Sequence, residues 1–244
     1  MNIEPCCPQS GGAEHFSGCF LCGAELIYSG VSTPRICAVC GRECLSDAVC
    51  ANGHYVCDDC HAYGAYVAVI TELRESSERD PLRLMEHIMK LPSVHMHGPE
   101  HHVLVPLVLL TALRNNGGMP DYDAAMREAY NRASKIPGGT CGYWGVCGAA
   151  AGAGIFAAVL TGSSPLHKDA WSLVQKLVSD ILARLALIGG PRCCKRTSRV
   201  SIEEAARFCR DVSGADMPIC GISCEYVGIN RECIKAACPY YPSL

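Results

Sequence analysis

The sequence predicts a mainly α-helical fold whose N-terminal part is irregular and rich in cysteine. Residues 1–62 hold ten of the 19 cysteines, residues 63–140 hold none, and residues 141–244 hold the other nine. Apolar residues recur at helical spacing after residue 62, whereas strand-like alternation is scarce there. Glycine and turn residues are frequent in the first segment. We therefore predict two domains, a cysteine module at 1–62 and a helical body at 63–244.

Composition and charge exclude several classes of protein. Hydrophobic residues make up 49 % of the 244 residues and charged residues 18 %, so the chain can bury a core. A net charge of −3 indicates neither nucleic-acid binding nor a polybasic membrane patch. The first residues lack the basic and apolar regions of a signal peptide. The longest apolar runs, at 103–113 and 146–160, are shorter than the roughly 20 residues that span a bilayer. We expect a soluble, cytoplasmic protein.

The cysteine module carries four short pairs of metal-ligating residues. In a reducing cytosol, closely spaced thiols favour metal ligation over disulfides, and an odd count of 19 argues against complete pairing. The pairs are Cys19/Cys22, Cys37/Cys40, Cys50/His54 and Cys57/Cys60. Eight ligands suffice for two tetrahedral zinc ions. Interleaved pairing (first with third, second with fourth) and sequential pairing both fit this spacing.

Zinc is expected to fold this module, because the segment is too small and too polar to build a conventional core. The bound module would then be a structural unit or a docking surface for a protein partner. No basic stripe accompanies it, so we predict no nucleic-acid partner.

Seven helices are predicted in the helical body. A capping aspartate, Asp80, and a first-turn proline, Pro81, favour the start of the second helix. The third is apolar nearly all round, which indicates a central, buried position. A capping box, Ser201 to Glu204, favours the start of the last. The predicted ranges are 62–79, 81–90, 101–114, 121–135, 147–160, 165–187 and 201–212.

Four of the nine histidines lie within eight residues, from His95 to His102. Imidazoles and a carboxylate where a turn meets a helix suit zinc or iron ligation, or acid–base catalysis near neutral pH. The alternative is that these residues cap a buried helix. The functional candidates are His97, Glu100, His101 and His102.

The C-terminal cysteines fall in three elements. Two lie in a glycine-rich loop before the Ala/Gly helix, where the helix dipole favours a thiolate. Two adjacent thiols follow Arg192 and precede Lys195 and Arg196, and these cations are expected to depress the thiol pKa. The last four end before a proline, which is typical of iron–sulfur proteins, with zinc as the main alternative. The predicted cofactor ligands are Cys141, Cys147, Cys193, Cys194, Cys220, Cys224, Cys233 and Cys238.

The whole chain resembles an uncharacterised domain family found mainly in anaerobic bacteria and archaea. The resemblance rests on the Cys-x2-Cys-Gly pairs, on GHYVCDDCH at 53–61, on HGPEHH at 97–102 and on GPRCCKR at 190–196. Some relatives resemble fusions with methyltransferase domains. This resemblance implies no particular activity.

Residues 138–196 also resemble the helical catalytic part of oxygen-sensitive iron–sulfur serine dehydratases and cysteine desulfidases. There a Gly-Cys loop opens an Ala/Gly-rich helix that ends in a Gly-Gly-Ser/Thr-Pro turn, here residues 161–165. A later Pro-Cys-x-Lys/Arg-Arg element corresponds to 191–196. The resemblance implies that Cys141 and Cys194, or Cys193, ligate a [4Fe–4S] cluster with one open iron. The middle cysteine of that family, which precedes Asp-Pro, has no counterpart here.

We therefore predict an iron–sulfur and zinc metalloenzyme of anaerobic sulfur metabolism, a C–S lyase or sulfur transferase acting on a small thiol or amino acid. A residue of the 97–102 cluster would be the base, and Arg192, Lys195 or Arg196 would hold a carboxylate. Alternatives are a zinc-dependent methyl- or alkyl-transfer partner and a non-catalytic metal-binding or electron-transfer adaptor. The first hypothesis requires Cys141, Cys194 and the histidines to share one pocket.

Overall fold

The computed structural model describes residues 18–19, 21–39, 41–119 and 121–242, without the side chains of 61–65 and 67–68. Helices dominate this part of the chain, and its one sheet has two strands. The α-helices are α1 (Asp58–Glu75), α2 (Pro81–Met89), α3 (Glu100–Asn115), α4 (Tyr122–Ala133), α5 (Thr140–Tyr143), α6 (Gly148–Thr161), α7 (Lys168–Ile188) and α8 (Cys194–Ser213). A short 3-10 turn, Lys235–Ala237, lies near the C-terminus.

The cysteine module contains an antiparallel hairpin, so the prediction of an irregular segment was wrong for these residues. Strand β1 (Leu26–Ile36) pairs with β2 (Glu43–Cys50), from Leu26 opposite Cys50 to Ile36 opposite Glu43. Nearly every residue of β1 is exposed, so neither face needs to be apolar. The hairpin therefore lacks the alternating pattern by which a half-buried strand is recognised.

Helix α3 lies at the centre of the fold, as its apolar sequence predicts. All 14 residues from Glu100 to Leu113 are buried, and the helix packs against α6, α4 and α8. The small residues of α6 allow close contact with α3. A Cβ on Gly152, for example, would lie 2.5 Å from the carbonyl oxygen of His102. Pro106 is inside the helix.

The start of α2 agrees with its prediction, whereas the start of the last helix does not. The Asp80 side chain accepts hydrogen bonds from the backbone N–H groups of Leu82, at 2.8 Å, and Arg83, at 3.3 Å. Helix α8, however, begins at Cys194, seven residues before the predicted capping box. Ser201 is buried inside this helix and is not a cap. The Cys193 side chain is the N-cap and accepts from the backbone N–H of Arg196 at 3.5 Å.

Helix α1 begins at Asp58, directly after Cys57, and runs across the predicted domain boundary at residue 62. The cysteine module is thus continuous with the helical body through a helix. No helix in the described part of the chain has both the length and the apolar character needed to cross a membrane.

Candidate metal centres and the cleft between them

Four of the predicted ligands in the cysteine module meet at one end of the hairpin. The ligand atoms of Cys19, Cys22, Cys50 and His54 all lie within 4.8 Å of one another. The His54 Nδ1 atom is 3.3 Å from the Cys22 sulfur, which lies 3.8 Å from the Cys50 sulfur. Three thiols and one imidazole at this spacing can hold a single tetrahedral metal ion.

Backbone N–H groups donate to sulfurs at this end and favour the thiolate form of Cys22, whereas burial raises the pKa of Cys19. The Cys50 sulfur accepts from the backbone N–H of His54 at 3.2 Å. The pKa of Cys22 is lowered to about 6, chiefly by the backbone N–H of Ala24 and then by His54. Because thiolates are the metal-binding form, these bonds prepare the group for a cation.

A second group lies at the other end of the hairpin. The sulfurs of Cys37, Cys57 and Cys60 are within 4.8 Å of one another, and the Cys37 sulfur accepts from the backbone N–H of Cys57 at 3.3 Å. The fourth predicted ligand, Cys40, lies outside the described residues. The three described thiols can hold a metal ion.

The hairpin explains why the ligands group in the interleaved order. Cys22 precedes β1 and Cys50 ends β2, so strand pairing brings the first and third pairs together. Cys37 follows β1 at the turn, and Cys57, directly before α1, lies close to Cys37. Sequential pairing would require ligands at opposite ends of β2 to bind the same ion. This is not possible, because the eight residues of the strand span about 26 Å.

Between the hairpin and the helical body lies a cleft of about 750 Å³. The hairpin and the helical body both contribute to its walls. The helical body contributes the histidine-rich loop, the glycine-rich loop before α6 and the start of α8. Of the predicted catalytic and cofactor residues, those lining it are His97, His102, Cys141, Arg192 and Cys194.

The His97 side chain joins three segments at the base of the cleft. Its Nδ1 accepts from the backbone N–H of Cys194 at 3.4 Å, and its Nε2 lies 3.1 Å from both Asn230 Oδ1 and Glu232 Oε2. Both ring nitrogens are thus engaged, with the proton on Nε2. Burial lowers the pKa of His97, although Glu232 opposes this shift. We infer that this ring positions Cys194.

His102 differs from His97 in that one of its ring nitrogens keeps its lone pair. Its Nδ1 lies 3.2 Å from the Ile136 carbonyl oxygen, so the proton belongs there and Nε2 keeps its lone pair. Burial lowers the pKa of His102, which favours the neutral ring. The ring packs against Gly148, where an added Cβ would be 2.3 Å from Nε2. This nitrogen is therefore suited to accept a proton or bind a metal beside Cys147.

Glu100 and His101 lie behind the cleft wall and do not line it. Glu100 is fully buried and accepts from the His95 backbone N–H at 3.0 Å, while its Oε1 lies 3.2 Å from His95 Nδ1. The His101 Nδ1 is 3.2 Å from the Gly98 carbonyl oxygen, and burial keeps its pKa well below the usual range. Both residues hold the loop that carries His97.

Lys195 and Arg196 are also turned away from the cleft. The Lys195 ammonium donates to the Met89 carbonyl oxygen at 3.3 Å, and burial lowers its pKa to about 8. The Arg196 guanidinium donates to the carbonyl oxygens of Gly189, at 2.9 Å, and Pro191, at 2.7 Å. Of the three predicted carboxylate-binding cations, only Arg192 faces the cleft.

Burial raises the pKa values of the C-terminal thiols Cys193 and Cys194, so the prediction that these pKa values are depressed was wrong. Burial raises the pKa of Cys194 to about 12, and that of Cys193 is raised for the same reason. Burial also raises the pKa of Cys141, and Cys147 adds to the upward shift at both Cys141 and Cys194. The three thiols, from different elements, therefore interact electrostatically, and Arg192 acts on Cys141 and Cys194.

The remaining predicted cysteines lie elsewhere. The Cys193 sulfur accepts from Asn230 Nδ2 at 3.4 Å, and Cys224 acts on it electrostatically. Cys220 donates its backbone N–H to Asp80 at 2.7 Å. Within the described residues, no tight group of three metal ligands includes a C-terminal cysteine. Ligation by Cys193, Cys220, Cys224, Cys233 and Cys238 stays a prediction.

Several residues that line the cleft were not among the predicted catalytic or cofactor residues. Asp58 follows the ligand Cys57 and accepts from the backbone N–H of Gly138 at 2.9 Å. This bond ties the start of α1 to the loop that carries Cys141. In sequence, Asp58 is simply an acidic residue in the first turn of a helix. His95, Tyr28, Tyr143 and Trp144 also line the cleft.

Replacing Gly148 by alanine is expected to lower the free energy of unfolding by about 1–3 kcal/mol, because the new methyl group would overlap the His102 ring. The ring cannot easily move, since Ile136 holds it from the other side. Chemical denaturation measures the change. Gly142→Ala is the control, because a Cβ there meets nothing within 4 Å. Equal losses in both variants would contradict the packing described for His102.

Comparison with protein-family models assigns the helical part of the chain to a family. The model of a family of unknown function, DUF5714, matches residues 68–241. The chain belongs to this family. The DUF5714 match contains the histidine cluster and all the C-terminal cysteines, whereas the cysteine pairs lie before it. No curated protein and no solved structure matches the chain.

Proposed function

We propose that this DUF5714 protein is a metalloenzyme of sulfur chemistry that makes or breaks a C–S bond in a small thiol or amino acid. The reaction site would be the cleft, with an iron–sulfur cluster bound by Cys141, Cys147 and Cys194. One observation carries the proposal: three distant sequence regions line one cleft, through His97 and His102, Cys141, and Arg192 and Cys194.

The donor set fits a cluster better than a single ion. Thiolates are the usual ligands of iron–sulfur clusters. The three thiols are neighbours but lie outside the 4.8 Å grouping that the two hairpin sites satisfy. A cluster of several irons separates its thiolates more widely than one ion does. Three protein ligands leave one iron of a four-iron cluster open, and that iron would supply Lewis-acid chemistry.

The resemblance of residues 138–196 to iron–sulfur serine dehydratases and cysteine desulfidases supports the same site. In that comparison Cys141 and Cys194 take ligand positions, and the third cysteine of those enzymes has no counterpart. Cys147 is the N-cap of α6 and acts electrostatically on both other thiols. We assign Cys147 to the third ligand position of the cluster. An anaerobic setting follows from the oxygen sensitivity of such clusters.

Two side chains have the geometry to handle the substrate. His102 Nε2 carries a lone pair beside Cys147 and serves as the base. The Arg192 guanidinium donates to the Tyr28 hydroxyl at 2.8 Å and forms no ion pair with a described carboxylate, although Glu232 acts on it electrostatically. Its charge is available for an anionic group of the substrate. His97 positions the backbone of Cys194.

The two hairpin groups would bind zinc and play a structural role. Tetrahedral sites made of thiols and imidazole are typical of zinc that folds a small module. The module forms one wall of the cleft through Tyr28 and reaches the Cys141 loop through Asp58. Zinc would therefore shape the reaction site without taking part in the chemistry.

The experiment is a sulfide-release assay on anaerobically purified protein with L-cysteine as the first substrate. His102→Gln is expected to lower kcat by about 10²–10⁴-fold, the usual contribution of a general base, while the iron content stays unchanged. His87→Gln is the control, since His87 is exposed and lies 3.0 Å from Glu72, away from the cleft. Wild-type kcat in His102→Gln would exclude His102 as the base.

A further inference from the structure

Three exposed aromatic side chains line the cleft, an arrangement that the proposed small substrate does not use. Tyr28, Tyr143 and Trp144 are 40 %, 54 % and 66 % exposed, and all three line the cleft. Aromatic rings gain much free energy from burial, so a cluster of them left open in a concave surface marks a binding site. Tyr143 and Trp144 are two and three residues after Cys141 in the chain, so these two rings adjoin the proposed reaction centre.

The rings are held in place by the residues around them. The Tyr143 ring packs on Gly139, where an added Cβ would be 3.2 Å from the ring. Asp47 of β2 raises the pKa of the Tyr143 hydroxyl. Tyr28 is held by Arg192. A ligand between these rings would therefore meet a prepared surface.

A cation lies among the rings. The Arg192 guanidinium carbon is 5.2 Å from the centroid of the Tyr28 ring, in addition to the hydrogen bond with its hydroxyl. Arg192 also acts electrostatically on Tyr143. Among the described residues no carboxylate forms an ion pair with Arg192, although Glu232 acts on it electrostatically, so this arginine can bind an anion while its flat face stacks with a ring.

The size of the cleft agrees with a larger ligand. A volume of about 750 Å³ is in the range of sites that enclose a drug-sized molecule, which lies between about 300 and 1,000 Å³. A three-carbon amino acid would leave most of it empty. The rings, the cation and the thiols instead provide three distinct regions for one extended ligand.

We propose that the substrate carries a flat heteroaromatic ring joined to an anionic group, as a nucleotide does, with its sulfur directed toward Cys141 and Cys194. The ring stacks on Trp144 and Tyr143, and the anion binds Arg192. The ligand is a free small molecule, because a net charge of −3 gives no track for a polynucleotide. This inference rests on the proposed function, since it takes the cleft as the reaction site.

The fluorescence of Trp144 reports ligand binding in the cleft. The chain has two tryptophans, so the Trp171→Phe variant of the anaerobically purified full chain leaves Trp144 as the sole emitter. AMP is expected to quench its fluorescence saturably. Adenosine, which lacks the anion, should bind more weakly, and ribose 5-phosphate, which lacks the ring, should not quench. Absence of saturable quenching by AMP up to about 10 mM, well above typical substrate affinities, would overturn the inference.

Calorimetry on variants separates stacking from charge. Trp144→Ala is expected to weaken AMP binding by about tenfold, the usual size of one base–aromatic stack. Arg192→Gln should weaken AMP and leave adenosine unchanged. Trp171→Ala, on the remote helix α7, is the matched control. Unchanged AMP affinity in Trp144→Ala contradicts the inference.

The two proposals can fail separately. Release of sulfide from cysteine without any AMP binding would leave the enzyme proposal standing and remove the aromatic site. AMP binding to a protein that takes up no iron would do the reverse.

Discussion

Cys194→Ser is expected to remove most of the iron and the visible absorption of the anaerobically purified protein, and to lower turnover by about 10²–10³-fold. The thiol is partly buried and lines the cleft, on the N-terminal turn of α8 that His97 holds. Loss of this ligand would release the cluster and with it several kcal/mol of transition-state stabilisation. Iron and sulfide analysis, the absorption spectrum and the sulfide-release assay measure the effect.

Cys209→Ala is the matched control for this variant. Cys209 lies in the same helix and is more deeply buried than Cys194, and its sulfur bonds Ser213, one turn further along. This variant should keep its iron, its absorption and its turnover. Full iron content in Cys194→Ser, or equal losses in both variants, would contradict ligation by Cys194.

The double variant Cys22→Ser/Cys50→Ser is expected to lose one bound zinc and keep the other. Both residues belong to the same group in the structure, with their sulfurs 3.8 Å apart. Loss of that site would remove much of the binding free energy that folds this end of the module, since structural zinc contributes about 10–16 kcal/mol in small domains. Zinc analysis and hydrogen exchange of the hairpin measure these effects.

The control takes one ligand from each group. Cys22→Ser/Cys57→Ser should impair both zinc sites, because Cys57 belongs to the group at the turn. Sequential pairing gives the opposite pattern for Cys22→Ser/Cys50→Ser, with both zinc ions affected. That result would contradict the interleaved arrangement of the hairpin.

Local chemistry made some elements predictable from sequence alone. Asp80 and Pro81 mark the start of α2 because the cap and the fixed proline torsion act within one turn. The apolar surface of α3 predicts its central position for a similar reason, since a helix apolar all round must be buried. The short ligand pairs also act locally, because two ligands separated by two or three residues can bind one ion.

Other features depend on tertiary contacts that the sequence does not encode locally. The interleaved order follows from the pairing of β1 with β2, an exposed hairpin without alternating apolar residues. The thiol pKa values were mispredicted because Lys195 and Arg196 bond backbone carbonyls away from Cys194, and burial then dominates. The capping box at Ser201 failed because α8 continues through it and buries that serine.

The cleft was predictable only in part. The glycine-rich loop, the histidine cluster and the Arg192–Cys194 element each suggested function, and the structure brings residues of all three to one cavity. Asp58 and Tyr28 reach the cleft from the cysteine module, which no pattern in their neighbourhood indicates.

The decisive experiment for the iron–sulfur site is metal analysis of the full chain, purified without oxygen and supplied with iron and sulfide. We expect a brown protein with two zinc ions per chain, together with iron and acid-labile sulfide in equal amounts. A colourless protein that holds zinc alone after the same treatment would contradict the iron–sulfur site at Cys141, Cys147 and Cys194.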